Sequence, residues 1–277
     1  MKTTTLLAMS MAAITSTAQP KGRVEVYNFD AFTLHVYYTN DVMGDADYII
    51  EGKESLVILE PPLFRDNVKE FNDYVEKLGK SVERIIVSYH VGETLGDNVV
   101  MPEGMPKFIK GPVYGGMMKG FAQTFGDSIV EMPDGDAREV AFGEARAYAG
   151  VQFYFSHGAA SDFPAASLLI GGIVYYTHWM PAKAHMSHLQ LSSSAAVDAE
   201  IAEAEEELHS GAQLFIGGHG GATHIDAVEF KLAYLRTIKR LLMKNKDAAS
   251  FSVALKDAYP TLPGIDGIGA LAEALYK

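Results

Sequence analysis

The stretch Arg84-Ile-Ile-Val-Ser-Tyr-His90-Val-Gly-Glu93-Thr-Leu-Gly-Asp97 changes character at its middle. Its first half is a β-branched apolar run, which predicts an interior strand. Its second half brings a histidine, an acid and two glycines, a composition typical of a loop. Just before it, residues 66–78 carry apolar side chains three and four positions apart and predict an amphipathic helix, which itself follows a predicted strand at Leu56–Glu60. Strand, helix and strand form a β-α-β crossover, so the chain belongs to the α/β (α+β) class.

Three later segments repeat the order of an apolar strand followed by a histidine. Because functional side chains gather at the carboxyl ends of strands in α/β proteins, four such histidines form a candidate site. Converging neutral imidazole rings suit Zn²⁺ or another borderline divalent ion, at about 2.0–2.1 Å. The alternative is that several of the rings are ordinary loop histidines. The four candidates are His90, His157, His178 and His219, which follow predicted strands at Arg84–Tyr89, Val151–Phe155, Gly172–Thr177 and Gln213–Gly217.

Composition narrows the classes of partner. The 277 residues are 48% hydrophobic and 21% charged, which is enough for one domain with a substantial core. The net charge of −12 disfavours nucleic acid, because a phosphate backbone requires a basic face. The chain has no cysteine, so a tight metal site must use His, Asp or Glu. No segment after the N-terminus approaches the length of a membrane span. A small-molecule substrate or ligand is therefore expected.

The N-terminus has the composition of a secretory signal. Lys2 precedes the apolar run Leu6–Ile14, and the small residues Ser16-Thr-Ala18 follow it. A short basic start, an apolar segment and small residues at a cleavage point predict removal of residues 1–18. The alternative is a frayed N-terminus that stays on the protein. The first interpretation gives an exported protein, periplasmic or secreted, whose residues 19–277 form a single domain.

The rest of the chain is less regular in pattern. Leu168–Thr177 reads as one continuous strand, and residues 101–150, rich in Pro, Gly and Met, predict an irregular excursion packed on the body. Within it, Gly115–Phe121 has the alternative of a mobile cover over a site. His185 and His188 would share one face of a helix, where a solvated surface is the favoured interpretation over a metal pair.

The order of these segments resembles the metallo-β-lactamase fold superfamily across nearly the whole mature chain. Leu56–Glu60, the helix and Ile85–His90 resemble the strand-helix-strand that leads into the family's H-x-H-x-D-H loop. Ser156-His157-Gly158 is similar to its third histidine motif. Tyr175-Tyr-Thr-His178 resembles its strand ending in a metal-bridging aspartate, and Ile216-Gly-Gly-His219-Gly resembles its final G-H-G. The resemblance implies an αββα four-layer sandwich with the metal site at one edge.

The chain departs from the family at the metal loop. Gly92, Thr94 and Leu95 stand where the resemblance calls for the second histidine, the aspartate and the last histidine, and His178 stands in place of the bridging aspartate. A standard two-zinc centre is therefore not expected. The resemblance implies a hydrolase of an ester, lactone, amide or phosphoester. Glu93, one position from the place of the missing aspartate, is the candidate general base, and the alternative is that it is a solvated loop glutamate. The one divalent metal of the hydrolase, Zn, would be held by His90, His157, His178 and His219. The alternative is a catalytically inactive member of the fold that binds a ligand without turnover.

Overall fold

The computed structural model describes residues 21–93, 95–159 and 165–277. The predicted signal segment lies outside these ranges. In the described part, strands form two sheets and helices cover their outer faces. Among the described residues, no helix combines the length and the apolar character needed to cross a bilayer.

The first sheet has seven strands that lie side by side in chain order. The pairs from β1 to β4 are antiparallel and the pairs from β4 to β7 are parallel. The predicted crossover is present, because helix α1 (Arg65–Lys77) leads from β4 to its parallel neighbour β5. The strands are β1 (Arg23–Asn28), β2 (Thr33–Tyr38), β3 (Ala46–Glu51), β4 (Ser55–Leu59), β5 (Ser81–Ile86), β6 (Val99–Pro102) and β7 (Arg138–Val140).

The second sheet has six strands in the order β13-β12-β11-β10-β9-β8. The prediction of one strand at Leu168–Thr177 is wrong, since Gly171 and Gly172 adopt φ values of +59° and +69° and turn the chain back on itself. The following pair, β11 and β12, is parallel. The strands are β8 (Ala145–Tyr148), β9 (Val151–His157), β10 (Ala166–Ile170), β11 (Val174–Trp179), β12 (Leu214–His219) and β13 (Gly221–Thr223).

The two sheets and the helices on their outer faces form four layers. The two sheets pack face to face over a core that includes Leu34, Tyr48 and Phe155. On the outside, α1 covers the first sheet. Helices α4 (Ser194–His209) and α5 (Ile225–Lys244) cover the second. The predicted αββα sandwich is confirmed. Helices α6 (Ala248–Ala258) and α7 (Ile268–Leu275) pack beside α5.

Two predictions for individual segments are wrong. Gly115–Phe121 is part of a helix, α3 (Pro112–Phe125), which follows the short helix α2 (Met105–Ile109). Tyr114 and Met118 are buried in an apolar cluster with residues of α2 and β6, and this burial outweighs the low helix propensity of the glycines. His185 is buried rather than solvated and lies outside the helices, with its Nδ1 at 2.9 Å from the Tyr234 hydroxyl.

A buried ionic cluster joins α4 to α5. The Lys231 ammonium lies 2.9 Å from a carboxylate oxygen of Glu200 and 3.0 Å from one of Glu207. Between these two glutamates on the helix, Glu203 accepts a hydrogen bond from the Ser167 hydroxyl. One ammonium faces three carboxyl groups, and burial raises the pKa of Glu203 to about 8. Burial lowers the pKa of Lys231, but the three glutamates outweigh it and the net shift is upward, so the lysine stays charged.

Raising the pH is expected to destabilise the protein through Glu203. The folded-state pKa of about 8 exceeds the ordinary value of 4.5, so the folded chain binds more protons between these pH values than the unfolded chain. The contribution to the free energy of unfolding is complete below the unfolded pKa and is lost as the pH rises through the folded pKa. The slope is at most about 1.4 kcal/mol per pH unit. Denaturant melts from pH 5 to pH 9 measure it. The Glu203→Gln variant cannot ionise there and should lose this slope; a variant that kept it would contradict the assignment.

Candidate metal centre

Three histidines from distant parts of the chain meet at one edge of the two sheets. One ring nitrogen each of His90, His178 and His219 lies within 4.8 Å of the other two. Their ring centroids are 4.7 to 5.5 Å apart. His90 is buried, while His178 and His219 are half-buried. Imidazole nitrogens this close form a ready set of ligands for a divalent ion.

Two of the rings are placed by hydrogen bonds of the second sheet. His178 and His219 lie at the ends of the parallel strands β11 and β12, where Trp179 pairs with His219. The Met180 amide donates to the His219 carbonyl at 3.1 Å and continues this pairing beyond the strand. Parallel neighbours end at the same edge of a sheet, so the two histidines are held side by side by backbone alone.

His90 is positioned by a buried carboxylate from the first sheet. Glu60, at the end of β4, is fully buried and accepts hydrogen bonds from three consecutive amides, Ser88 at 2.6 Å, Tyr89 at 3.0 Å and His90 at 2.5 Å. Burial raises the pKa of Glu60 to about 7, against these amides, which lower it. The Ser88 hydroxyl also donates to the Ala166 carbonyl at 2.9 Å, which ties the turn to the second sheet.

A second buried carboxylate, Asp45, lies behind His219. Its Oδ1 is 2.8 Å from His219 Nδ1, although the two atoms are not aligned as a hydrogen bond. Burial alone would raise the pKa of Asp45, but the His90 and His219 rings outweigh it and the net pKa is lowered. A carboxylate beside the second nitrogen of a histidine is the usual support of a metal ligand, since it fixes the ring and increases its basicity.

Aromatic rings fix the planes of the imidazoles. Tyr89 stacks on His178 with ring centroids 3.4 Å apart, and Trp179 stacks on His219 at 4.3 Å. Burial lowers the pKa of His90 to about 4 and holds the pKa of His178 well below its usual range. Both rings are therefore neutral at pH 7, the form that binds metal.

The orphaned nitrogens of these rings fit a bound ion. The Nδ1 atoms of His90 and His178 are buried, and within the described ranges neither has a hydrogen-bond partner. Buried polar atoms without partners are uncommon in folded proteins and call for an unseen water or ion. Since the donor set is three imidazoles without a thiolate, it suits zinc or a similar divalent metal.

Solved structures share this architecture. The DIM-1 metallo-β-lactamase superposes with a TM-score of 0.57 at 13% identity, covering 80% of this chain and 99% of that one. A metallo-β-lactamase family protein from Thermus thermophilus gives 0.57 at 16% identity, covering 92% and 91%. The chain has the metallo-β-lactamase fold. The sec-alkylsulfatase Pisa1 from Pseudomonas sp. gives 0.59 at 15% identity, covering 87% of this chain and 48% of that one. At the sequence level, neither a family profile nor a curated protein matches.

Two residues expected at the site of this metallo-β-lactamase fold are not members of the three-histidine group. His157 ends β9, is exposed and stacks on Phe142 with ring centroids 3.7 Å apart. It is not among the histidines that share a common space, so the group contains three of the four expected ligands. Glu93 is exposed on the loop after His90. Within the described part of the chain, it does not belong to the histidine group either.

Gly92 explains part of the departure from the loop expected for a two-metal member of the fold. It is buried, and a Cβ atom built on it would lie 2.7 Å from Cγ of Pro61. Contacts under about 3 Å between such atoms require one of them to move. A histidine side chain therefore has no room at residue 92 while Pro61 keeps its place.

Asp45 and the two stacking aromatics were not found from the sequence. Asp45 lies in a turn-like segment with two further aspartates nearby, and no spacing links it to His219, 174 positions later. The signals that exist are weak: Tyr89 and Trp179 are direct chain neighbours of ligand histidines, and Trp179 is the single tryptophan. Glu60 stands out in the sequence only as the acid that closes its strand.

Proposed function

We propose that this protein is a metal-dependent hydrolase with a single divalent ion, zinc, held by His90, His178 and His219. The observation that carries the proposal is the convergence of one ring nitrogen from each of these residues within 4.8 Å. A divalent metal bound there supplies Lewis acidity and lowers the pKa of a bound water. Because the fold hosts many chemistries, the substrate is given as a class, a small ester, lactone, amide or phosphoester.

The chain's own residues prepare the site for this task. Glu60 fixes the backbone of His90 through three amides, and Asp45 stands behind His219. Stacking of Tyr89 and Trp179 restricts rotation of the other rings. Ligands held in place before the metal arrives lose little entropy on binding it, which favours tight and specific coordination. The role of Glu93 as general base stays a prediction, and a Glu93→Gln variant in the same assays tests it.

The second candidate is a ligand-binding protein without turnover. The observation that favours it is the loop after His90, where Gly92 and Leu95 cannot supply the ligands of a second ion. A non-catalytic protein would keep the fold and the three histidine rings at the edge of the two sheets. It would bind a small molecule through them and release it unchanged.

One series of measurements separates the two candidates. Protein purified without a histidine tag, loaded with zinc and dialysed, is analysed for metal; about one ion per chain is the expected result. The same sample is assayed with chromogenic esters, lactones, amides and phosphoesters. Absence of stoichiometric metal would overturn the proposed metal site. One bound ion with no turnover on the whole panel would favour the binding protein.

We also propose export of the mature chain from the cytoplasm. The support is the composition of residues 1–18, a basic start followed by an apolar run and small residues. Expression of the full chain in a bacterium, followed by N-terminal sequencing of the periplasmic fraction, tests this. Mature protein beginning at Gln19 is expected, and uncleaved protein confined to the cytoplasm would contradict it.

A further inference from the structure

Five buried side-chain oxygen atoms of four neighbouring residues have no hydrogen-bond partner within the described ranges. They are Oδ2 of Asp41, Oδ2 of Asp45, both carboxylate oxygens of Asp47 and the amide oxygen of Asn67. Asp47 has no exposed surface, and Asn67 is 3% exposed. Buried acceptors without partners are uncommon in folded proteins and call for an unseen water or ion.

The register of the first sheet places Asp45 and Asp47 side by side. Asp47 pairs with Tyr37 across β3 and β2. Asp45, directly before β3, continues this pairing, because its carbonyl accepts from the Thr39 amide at 3.2 Å. Side chains two positions apart in an extended chain point to the same side. The two carboxyl groups therefore lie on the side from which Tyr37 also extends.

Helix α1 covers this side of the sheet with Asn67. The amide nitrogen of Asn67 donates to the Tyr37 hydroxyl at 3.1 Å and to the Thr39 carbonyl at 2.9 Å. Both acceptors belong to the residues of the first sheet that pair with Asp47 and Asp45. Asn67 is thus fixed over the two acids, and its amide oxygen is left free to bind a cation.

Asp41 brings a third carboxyl group from the turn before β3. Its Oδ1 accepts hydrogen bonds from the amides of Met43 and Gly44, both at 2.8 Å, and from the Asp45 amide at 3.3 Å. This oxygen is therefore used by the turn. Only Oδ2 of Asp41 is left for a ligand.

The charged groups around Asp47 are acids. Burial raises the pKa of Asp47 well above its ordinary value, and Asp45, Asp41 and Glu60 act in the same direction. Burying a carboxylate costs free energy unless a positive charge accompanies it. A cation among these oxygens would supply that charge.

We propose that Asp45, Asp47 and Asn67 form a second cation site, distinct from the three histidines, which binds calcium. Carboxylate and amide oxygens are ligands that calcium prefers, and calcium accepts six to eight of them in irregular geometry at about 2.3–2.6 Å. In the described ranges, only the histidine group brings three His or acid ligands within 4.8 Å of one another, so Asp41 contributes through a bound water. Oδ1 of Asp45 lies 2.8 Å from His219 Nδ1, so calcium would hold this carboxylate behind the histidine.

A calcium titration of the wild type, with thermal unfolding as the readout, tests the site. A ligand that binds only the folded chain raises Tm, here by roughly 5 °C at about 100-fold excess over Kd. Magnesium should give a smaller shift because it requires a more regular set of ligands. A calcium shift no larger than that of sodium chloride at equal ionic strength would overturn the proposal.

Two variants of nearly unchanged shape locate the site. Asp47→Asn should lose the calcium shift, and without calcium it should be more stable than the wild type, because it removes a buried charge. Asp41→Asn can keep the bonds of Oδ1 and should weaken calcium binding about 10-fold, the usual effect of losing a supporting group. Asp73→Asn, exposed on α1 beside Lys69, is the control and should respond as the wild type does. An unchanged calcium shift in Asp47→Asn would overturn the proposal.

The variant His178→Ala distinguishes this site from the histidine group. It should lose zinc and keep the calcium shift, since His178 is not among the proposed calcium ligands. Loss of the calcium shift together with zinc would mean that calcium binds at the histidines, which would overturn the second site. The readout is stability, so a calcium shift in a protein without turnover would support the calcium site and count only against the hydrolase.

Discussion

Replacing His178 by alanine is expected to remove the bound zinc. The variant leaves only His90 and His219 among the three converging rings. Loss of a supporting partner alone costs roughly 10–100-fold in metal affinity, and loss of a direct ligand should exceed that. Metal analysis after zinc loading and dialysis should therefore give about one ion per wild-type chain and far less than one for His178→Ala. Hydrolytic activity should fall with the metal content.

His157 supplies the matched control. It is also a strand-end histidine, but its exposed ring stacks on Phe142 away from the three rings. The His157→Ala variant should keep its metal. Equal metal content in His178→Ala and wild type, or parallel loss in His157→Ala, would show that the three-histidine group is not the metal site.

Replacing Lys231 by methionine is expected to destabilise the fold by about 3–5 kcal/mol at pH 8. Lys231 is the ammonium at the centre of three buried glutamates, and methionine keeps most of its volume without the charge. Without the ammonium, the buried carboxyl groups must either bind protons or become exposed to water. Because protonation removes their charge, the loss should be smaller at pH 5 than at pH 8. Denaturant melts at both pH values measure the difference.

Lys239→Met is the control on the same pair of helices. The Lys239 ammonium lies 2.6 Å from a carboxylate oxygen of Asp198, but more than half of each side chain is exposed to solvent. Exposed ion pairs contribute little because water competes for both partners. A Lys239→Met effect as large as that of Lys231→Met, or a Lys231→Met effect independent of pH, would contradict the assigned role of the buried cluster.

The strand-helix-strand crossover was accessible from the sequence because it depends on periodicity, whereas the four layers were expected only from the resemblance to the metallo-β-lactamase fold. The apolar run at residues 85–87 and the three-four spacing of the preceding helix report burial directly. The helix α3 was not accessible, since Gly115, Gly116 and Gly120 argue against a helix and only tertiary burial of Tyr114 and Met118 explains it. A local sequence pattern carries no information about a contact with a distant part of the chain.

The candidate site was accessible only in part, for a geometric reason. The rule that histidines follow strands found His90, His178 and His219, but it also selected His157. Strand β9 runs in the same direction as β11, yet β10 lies between them. At about 4.8 Å per strand, this puts roughly 10 Å between the ends of β9 and β11. Strand order, which the sequence does not display, decides which strand ends can share an ion.

The lack of space for a side chain between residue 92 and Pro61 determines how a two-ion site would have to be engineered into this fold. If the residues at 92, 94 and 95 were exchanged for metal ligands, the Cβ atom of the new side chain at residue 92 would lie 2.7 Å from Cγ of Pro61. Redesign therefore has to begin at Pro61, beneath the loop, and only then move to the ligands. The packing beneath the loop, as well as the residues within it, determines how many ions this protein can be engineered to bind.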